Sequence, residues 1–342
     1  MFQSSIVPLD GSEYAEQALP VAARLARASG GSLLLLQVII PYYYGEAAWS
    51  AGLPVPLIRG RVEDELEDAK RYLATVAGSA QLAGIDVTTE VRIGQPAEVI
   101  FSLAQANQSD LIVIFSHGHT GPKRWMLGST AQKIARYSTI PVLILRSGMA
   151  PLLAPSTVVT RSLRIMVALD GSKLAETVLI PAAHLSATLS APQRGSLHLV
   201  RILRLPTSFE YGQSDNLSKT RAAETLEAKT YLQTIEHRLR EGELAQLNLK
   251  VTSLVTSDLD VAQRLIFIAE NYPSDDGIFG CDMIAMATHG RSGVARWLMG
   301  SVAERVLSAT FLPLLIVRPQ KEAFMAQELA NSAATSEGIP DT

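Results

Sequence analysis

The stretch VPLDGSEYAEQALPVAARL (Val7–Leu25) recurs as VALDGSKLAETVLIPAAHL (Val167–Leu185), without gaps and with 11 of 19 positions identical. A second stretch, FSHGHTGPKRWMLGSTAQKIARYSTIPVLILR (Phe115–Arg146), recurs as ATHGRSGVARWLMGSVAERVLSATFLPLLIVR (Ala287–Arg318), with 12 of 32 identical. Similarity at so long a period means that one folding unit is used twice. The offset between copies grows from 160 to 172 residues, so the second copy carries extra chain in its middle. Part of that excess is the Pro/Gly/Asp-rich NYPSDDGIFGCD (Asn271–Asp282), which reads as loop.

Working outward, each copy alternates strand and helix. In the first, strands are expected at Ile6–Leu9, Leu33–Ile39, Ile85–Val91, Leu111–Phe115 and Pro141–Leu145. Helices are expected at Glu13–Ala28, Val62–Ala83, Pro96–Asn107 and Thr130–Tyr137 from their apolar spacing. The acidic run Glu63–Glu65 suits the start of the second of these, at the positive end of its dipole. The second copy repeats the order, with strands at Ile165–Leu169, Leu197–Ile202, Leu249–Val255, Met283–Ala287 and Leu314–Val317. Its helices fall at Leu174–Leu189, Lys219–Arg240, Val261–Asn271 and Val302–Ser308. Strictly alternating elements imply an α/β fold with a parallel sheet covered on both faces.

The length of 342 residues suits two domains, expected at 1–147 and 163–319. A Pro/Ser-rich linker at 148–162 joins them, and a polar tail follows at 320–342. With 30 Lys plus Arg against 33 Asp plus Glu, the charge gives no field for collecting nucleic acid. The single cysteine, Cys281, excludes an internal disulfide and reads as a buried small hydrophobe. No apolar run reaches the roughly 18 residues of a membrane span, and the chain opens on a strand rather than a signal peptide. The expected setting is the cytoplasm.

In an open parallel sheet, ligands bind beyond the carboxyl ends of the strands, where strand order reverses. Three segments of each copy meet there: Asp10-Gly-Ser12 or Asp170-Gly-Ser172, Gln37-Val38 or Arg201-Ile202, and the long loop after the fourth strand. In that loop Gly118 is followed by nine residues and then Gly128-Ser129; Gly290 is followed by nine and then Gly300-Ser301. Glycines admit close backbone approach, and the N–H groups that open a helix hold anions. A phosphate chain is the natural occupant. The plainer reading is a tight loop with a serine N-cap, and recurrence at equivalent places favours phosphate. Asp10 and Asp170 read either as acceptors for a ribose or adenine group or as turn residues.

Other recurring residues have weaker claims. His117 and His289 precede the loop glycine and read as turn histidines near a phosphate site. Arg124-Trp125 and Arg296-Trp297 pack the loop or stack on a base. Lys123 and Arg291 read as solvated charges or phosphate neighbours. The aromatic segment Pro41–Pro56 reads as a lid over the first site or a contact surface. No group of side chains has metal-ligand spacing, so any Mg2+ would arrive with a nucleotide.

These residues resemble the universal stress protein family over both repeats. The ATP-binding branch of that family carries G-x-x-G, nine residues, then G-[ST] after the fourth strand. The last elements match at Gly118, Gly128 and Ser129, and at Gly290, Gly300 and Ser301; the first glycine is replaced by Phe115 in one copy and by Ala287 in the other. Alanine is a mild change and phenylalanine a bulky one. The resemblance implies two tandem Rossmann-like domains of the adenine nucleotide α-hydrolase kind, each a five-stranded parallel sheet of order 3-2-1-4-5. It implies that Asp10 and Asp170 contact ATP, that Val38 and Ile202 touch adenine, and that Thr130 and Val302 offer backbone N–H to phosphate. It also implies an intrachain pseudo-dimer through the fifth strands, able to pair again as a homodimer, and a regulatory protein partner.

The function expected is that of an ATP-binding sensor rather than an enzyme. The chain lacks GxxxxGK[ST] and a kinase-type catalytic loop. Its first turn is Asp-Gly-Ser rather than GxGxxG, against a dehydrogenase. An aspartate with a bound metal could orient water, so slow ATP turnover is one alternative. An interaction protein with a degenerate site is another.

Overall fold

The computed structural model describes residues 1–40, 55–116, 127–146, 162–205, 214–271, 280–290 and 299–320. The chain divides into two compact units, Met1–Pro155 and Ser156–Thr342. Gly118, His117, Lys123, Arg124, Trp125, Arg291, Arg296 and Trp297 lie outside the described residues, as do 41–54 of the aromatic segment and almost all of the expected linker and tail.

The first unit contains β1 (Ser4–Leu9), α1 (Glu13–Glu16), α2 (Leu19–Ser29), β2 (Ser32–Ile39), α3 (Val55–Ala77), β3 (Asp86–Ile93), α4 (Pro96–Ala106), β4 (Leu111–Phe115), α5 (Ser129–Tyr137) and β5 (Val142–Leu145). Its strands lie in the order β3-β2-β1-β4-β5, and the pairs are parallel. The second unit contains β6 (Arg164–Ala168), α6 (Lys173–Glu176), α7 (Leu179–Ser190), β7 (Ser196–Arg204), α8 (Ser214–Glu241), β8 (Lys250–Asp258), α9 (Val261–Asn271), β9 (Met283–Ala287), α10 (Ser301–Ala309) and β10 (Leu314–Val317). Its order is β8-β7-β6-β9-β10, again parallel, so both units carry the order 3-2-1-4-5.

The apolar composition of the strands dictates where the core lies. Every residue of β4, β5, β9 and β10 is buried, as expected for parallel strands covered on both faces. The outer strands β3 and β8 are largely exposed along their length. Strand order reverses between β1 and β4, and between β6 and β9, so the carboxyl edges there are where a cleft can open. Cys281 is buried, and burial pushes its thiol up to about 12, as a small hydrophobe behaves. Among the described residues no helix is long and apolar enough to cross a membrane.

Three helices differ from expectation. The helix expected at Glu13–Ala28 is two pieces, α1 and α2, and the one expected at Leu174–Leu189 is α6 and α7. Pro20 and Pro181 have no N–H to give to the fourth residue back, so the ladder cannot run through. The chain bridges the gap with shorter bonds, such as Ala18 N to Ala15 O at 3.1 Å. The third begins at Val55 rather than Val62, with Pro56 in its first turn, and closes at Ala77. Glu63–Glu65 therefore lie inside the helix and not at its dipole end.

His198 sits in β7, almost wholly buried, with Nδ1 2.9 Å from Thr252 Oγ1. Burial, and next the charge of Arg164, hold its imidazole down at about 4, against 6.5 for a free side chain. Between those values the unfolded chain binds a proton that the folded chain refuses, so stability rises with pH across that window. Acidification from pH 6.5 to 4 should therefore cost on the order of 3 kcal/mol through this group, with no further loss through it below pH 4. Urea unfolding of the wild-type chain and of His198→Leu at several pH values reads the difference. Parallel pH profiles for the two would contradict the assignment.

Candidate functional site

The second unit brings seven expected site residues to one cavity. Asp170, Ile202, Ala287, Gly290, Gly300, Ser301 and Val302 all line it. The cavity holds about 130 Å³. A whole small ligand takes roughly 300–1,000 Å³, so the enclosed part fits one moiety of a larger molecule.

Its polar floor is built from the end of β6. Asp170 Oδ1 accepts from the backbone N–H of Ser172 at 2.9 Å and from its hydroxyl at 2.6 Å. Ser172 Oγ in turn accepts from Ala175 N at 3.1 Å and caps α6. The first unit repeats the device: Asp10 Oδ1 accepts from Ser12 N at 3.1 Å and Ser12 Oγ at 2.6 Å, and Ser12 caps α1. One carboxylate oxygen therefore organises the turn, as the plainer reading held. The other has a different neighbour in the second unit. A Cβ on Gly290 would lie 1.9 Å from Asp170 Oδ2, so the carboxylate occupies the space where a side chain would stand. The turn and the contact with Gly290 thus use different oxygens of the same side chain.

The opposite wall comes from the described residues that follow β9 and open α10. Thr288 N donates to Val317 O at 2.8 Å, and Thr288 O accepts from Gly300 N at 2.7 Å. This second bond fixes where α10 begins. Gly300 is the N-cap, with extended backbone and no side-chain cap, and Ser301 is the first helical residue. Gly128 caps α5 in the same way, and Gly128 N donates to Ser116 O at 2.8 Å. The expected alternative of a serine N-cap is thereby corrected. A serine one residue inside the helix does not take the capping position, and the opening N–H groups get no side-chain cap. Ser129 and Ser301 are exposed, while Thr130 and Val302 are half-buried behind them.

The apolar wall is Ile202 from the end of β7, Ala287 from β9, and Val261 and Leu265 from α9. The last two were not singled out in the sequence. Their spacing is that of an ordinary core stripe, and nothing in the sequence separates a pocket wall from a core wall. His289 also lines the cavity, with Nδ1 2.8 Å from Thr288 Oγ1. It is thus both a turn histidine and a neighbour of the cleft. In the first unit Val38 follows Gln37, which pairs with Leu9 of β1, so Asp10 and Val38 stand at adjacent strand ends. Gly128, Ser129 and Thr130 open α5 at the same edge.

A residue beneath the second turn gained no role from sequence alone. Arg201 is 2% exposed, with its guanidinium carbon 5.2 Å from the centroid of the Tyr231 ring and Nη2 bonded to Glu227 Oε1 at 3.1 Å. Gly171 has φ of 92°, and a Cβ there would lie 2.9–3.0 Å from Cζ, Nη1 and Nη2 of Arg201. Glycine at this place is required twice, by backbone conformation and by the guanidinium lying against it. Burial, and next the Glu176 and Asp170 charges, raise the Tyr231 hydroxyl well above its ordinary range. In the first unit Gln37 replaces Arg201, and Tyr72 donates to Glu16 Oε1 at 3.0 Å.

Comparison with known proteins agrees with the fold. The model of the universal stress protein family matches residues 1–146 and again 162–318. A universal stress protein of Mycolicibacterium smegmatis is 23% identical over 319 residues, covering 92% of this chain and 97% of its own. One from Bacillus subtilis is 33% identical over 155 residues, 43% of this chain and 100% of its own. The crystal structure of a universal stress protein from Archaeoglobus fulgidus superposes with a TM-score of 0.59 at 19% identity, covering 93% and 97% of the two chains. That likeness shows the fold.

Gly171→Ala should destabilise the second unit by about 1–3 kcal/mol, from positive φ and from collision with Arg201. In an Arg201→Gln background the steric part should vanish and only the backbone part remain. A double-mutant cycle by urea unfolding measures this; strictly additive losses would mean that the two residues do not press on each other.

Proposed function

The chain belongs to the universal stress protein family, and we infer that its second unit binds ATP and makes the protein a nucleotide-dependent sensor or regulator in the stress response. Family membership supports the stress-response role. The observation that carries the nucleotide reading is the juxtaposition at one sheet edge of an apolar slot, a carboxylate and an uncapped helix start. A nucleotide has the same three parts in the same sequence: a flat base, a sugar with hydroxyl donors, and an anionic chain.

In this reading Ile202 lies against adenine, where branched aliphatic carbon meets an aromatic face. Asp170 accepts from a ribose or adenine group. Gly290 and Gly300 let the backbone approach the ligand. The Ser301 hydroxyl and the N–H of Val302 meet phosphate at the positive end of α10. The small side chain of Ala287 keeps the slot open, and Gly290 makes room for the Asp170 carboxylate. Mg2+ comes with ATP: among the described residues no group of His, Cys, Asp and Glu is placed to hold a metal by itself.

Binding is favoured over turnover by the chemistry of the lining. Asp170 is the acid among the described lining residues, and its Oδ1 already accepts two hydrogen bonds. A general base must reach a water beside the terminal phosphate, and in this reading the Asp170 carboxylate is tied to the turn at the base-and-sugar end. ATP occupancy then acts by changing which protein partner the chain engages, and the nucleotide persists long enough to be sensed.

Isothermal titration of the full chain with ATP, GTP and cyclic AMP, alongside a phosphate-release assay, tests the proposal. ATP should bind without multiple turnover. Gly300→Val should weaken ATP at the second unit by a factor of about 100 or more, since a Cβ there would already sit 3.2 Å from Thr288 O and the added branches crowd the helix start. An unchanged isotherm in that variant would overturn the placement of the phosphates, and sustained phosphate release would overturn the choice of sensor over enzyme.

A further inference from the structure

We propose that the two repeats are functionally unequal: Phe115 closes the first repeat's cleft, so the chain holds one nucleotide, in the second repeat. The proposal rests on the ATP reading of the second cleft and adds the occupancy of the first.

The argument is one of congruent backbones and unequal side chains. Phe115 is the last residue of β4 and pairs with Leu145; Ala287 is the last residue of β9 and pairs with Val317. The next residue in each case donates to the carbonyl of that partner, Ser116 N to Leu145 O at 2.8 Å and Thr288 N to Val317 O at 2.8 Å. Its carbonyl accepts from the N-cap glycine, at 2.8 Å from Gly128 and 2.7 Å from Gly300. Strand register, exit bond and helix-start bond all coincide. The Cβ at 115 therefore leaves the backbone in the direction of the Cβ at 287.

In the second repeat the residue there is Ala287, whose side chain is a single methyl group and which is among those lining a cavity of about 130 Å³. In the first it is Phe115, which carries a phenyl ring. The ring is only 4% exposed, so it does not swing out into solvent but is enclosed at the strand end. Other described lining positions differ less in volume: Val38 for Ile202, Ile114 for Met286, Thr130 for Val302 and Pro8 for Ala168. The one large gain in volume falls where a ligand needs room. Close-packed protein cannot absorb a ring and a nucleotide moiety in the same space. What the first repeat keeps is the framework, namely the Asp10–Ser12 turn and the Gly128 helix start.

Titration calorimetry of the full chain with MgATP tests this through stoichiometry. The wild-type chain should bind one ATP, Phe115→Ala should bind two, and Ala287→Phe should bind none. Gly300→Val combined with Phe115→Ala should bind one, at the reopened first repeat. Two sites in the wild type, or full affinity in a folded Ala287→Phe, would overturn the closure while leaving the ATP reading of the second repeat intact. One site in both the wild type and a folded Phe115→Ala would do the same. No binding in the wild type with one site in Phe115→Ala would uphold the closure and overturn the ATP reading. Silence in both would overturn both. Circular dichroism establishes folding of each variant, and since Phe115→Ala opens a void and Ala287→Phe fills one, a folding failure of one leaves the other as the test.

Discussion

The contact between the Asp170 carboxylate and Gly290 is what the second cleft depends on. One oxygen of that carboxylate holds the Ser172 turn; the other lies where any side chain at 290 would stand. The contact fastens the segment after β6 to the segment after β9. It is possible only because parallel order 3-2-1-4-5 makes these two strands neighbours although more than a hundred residues separate them in the chain. The second tie, Gly300 N to Thr288 O, then places the start of α10 on the same edge. Two short contacts and one strand pairing thus bring an apolar slot, an acceptor and a helix terminus into one space.

Much of this was legible in the sequence because it is carried by patterns with strong local causes. The buried strands are short runs of branched and aliphatic residues, and Leu111–Phe115, Met283–Ala287 and Leu314–Val317 begin and end where those runs do. Glycine and serine spacing located the helix starts to within a residue. What escaped was information that an apolar pattern does not contain. The helical stripe runs unbroken across Pro20 and Pro181 because side chains on one face do not report a missing backbone donor. Leu265 looks like core because it is core on the face with which it walls the cleft, and half-buried Val261 sits one turn before it. The deep burial of a guanidinium at Arg201 runs against every compositional prior for that residue type.

The turn reading of the aspartates holds in both units, and in the second the other oxygen of Asp170 packs against Gly290. A carboxylate has two oxygens, and a turn needs one. The same division explains why serine at 129 and 301 stands inside the helix rather than at its cap. With glycine at the cap, the backbone can pass close to an anion and leave the first N–H groups uncovered by side chain. Capping by serine would gain helix stability, on the order of 1 kcal/mol, and would cover the first N–H groups with a hydroxyl. The local loss is consistent with a helix terminus kept ready for an exogenous anion.

The two repeats also show how far a fold constrains a site. Strand pairing, the Asp-Gly-Ser turn and the glycine-started helix are set by hydrogen bonds that tolerate almost no displacement, and they agree between units bond for bond. Side chains that merely fill space around them are free of that requirement. Gln37 stands where Arg201 stands, Tyr72 bonds to Glu16 where the corresponding Glu176 pairs with Arg238, and a phenyl ring stands where a methyl group does. A duplicated unit can therefore keep its architecture with full fidelity while its cleft changes character. Function has to be read repeat by repeat from what lines the edge, because the backbone that frames both clefts would look the same whether either held a ligand or not.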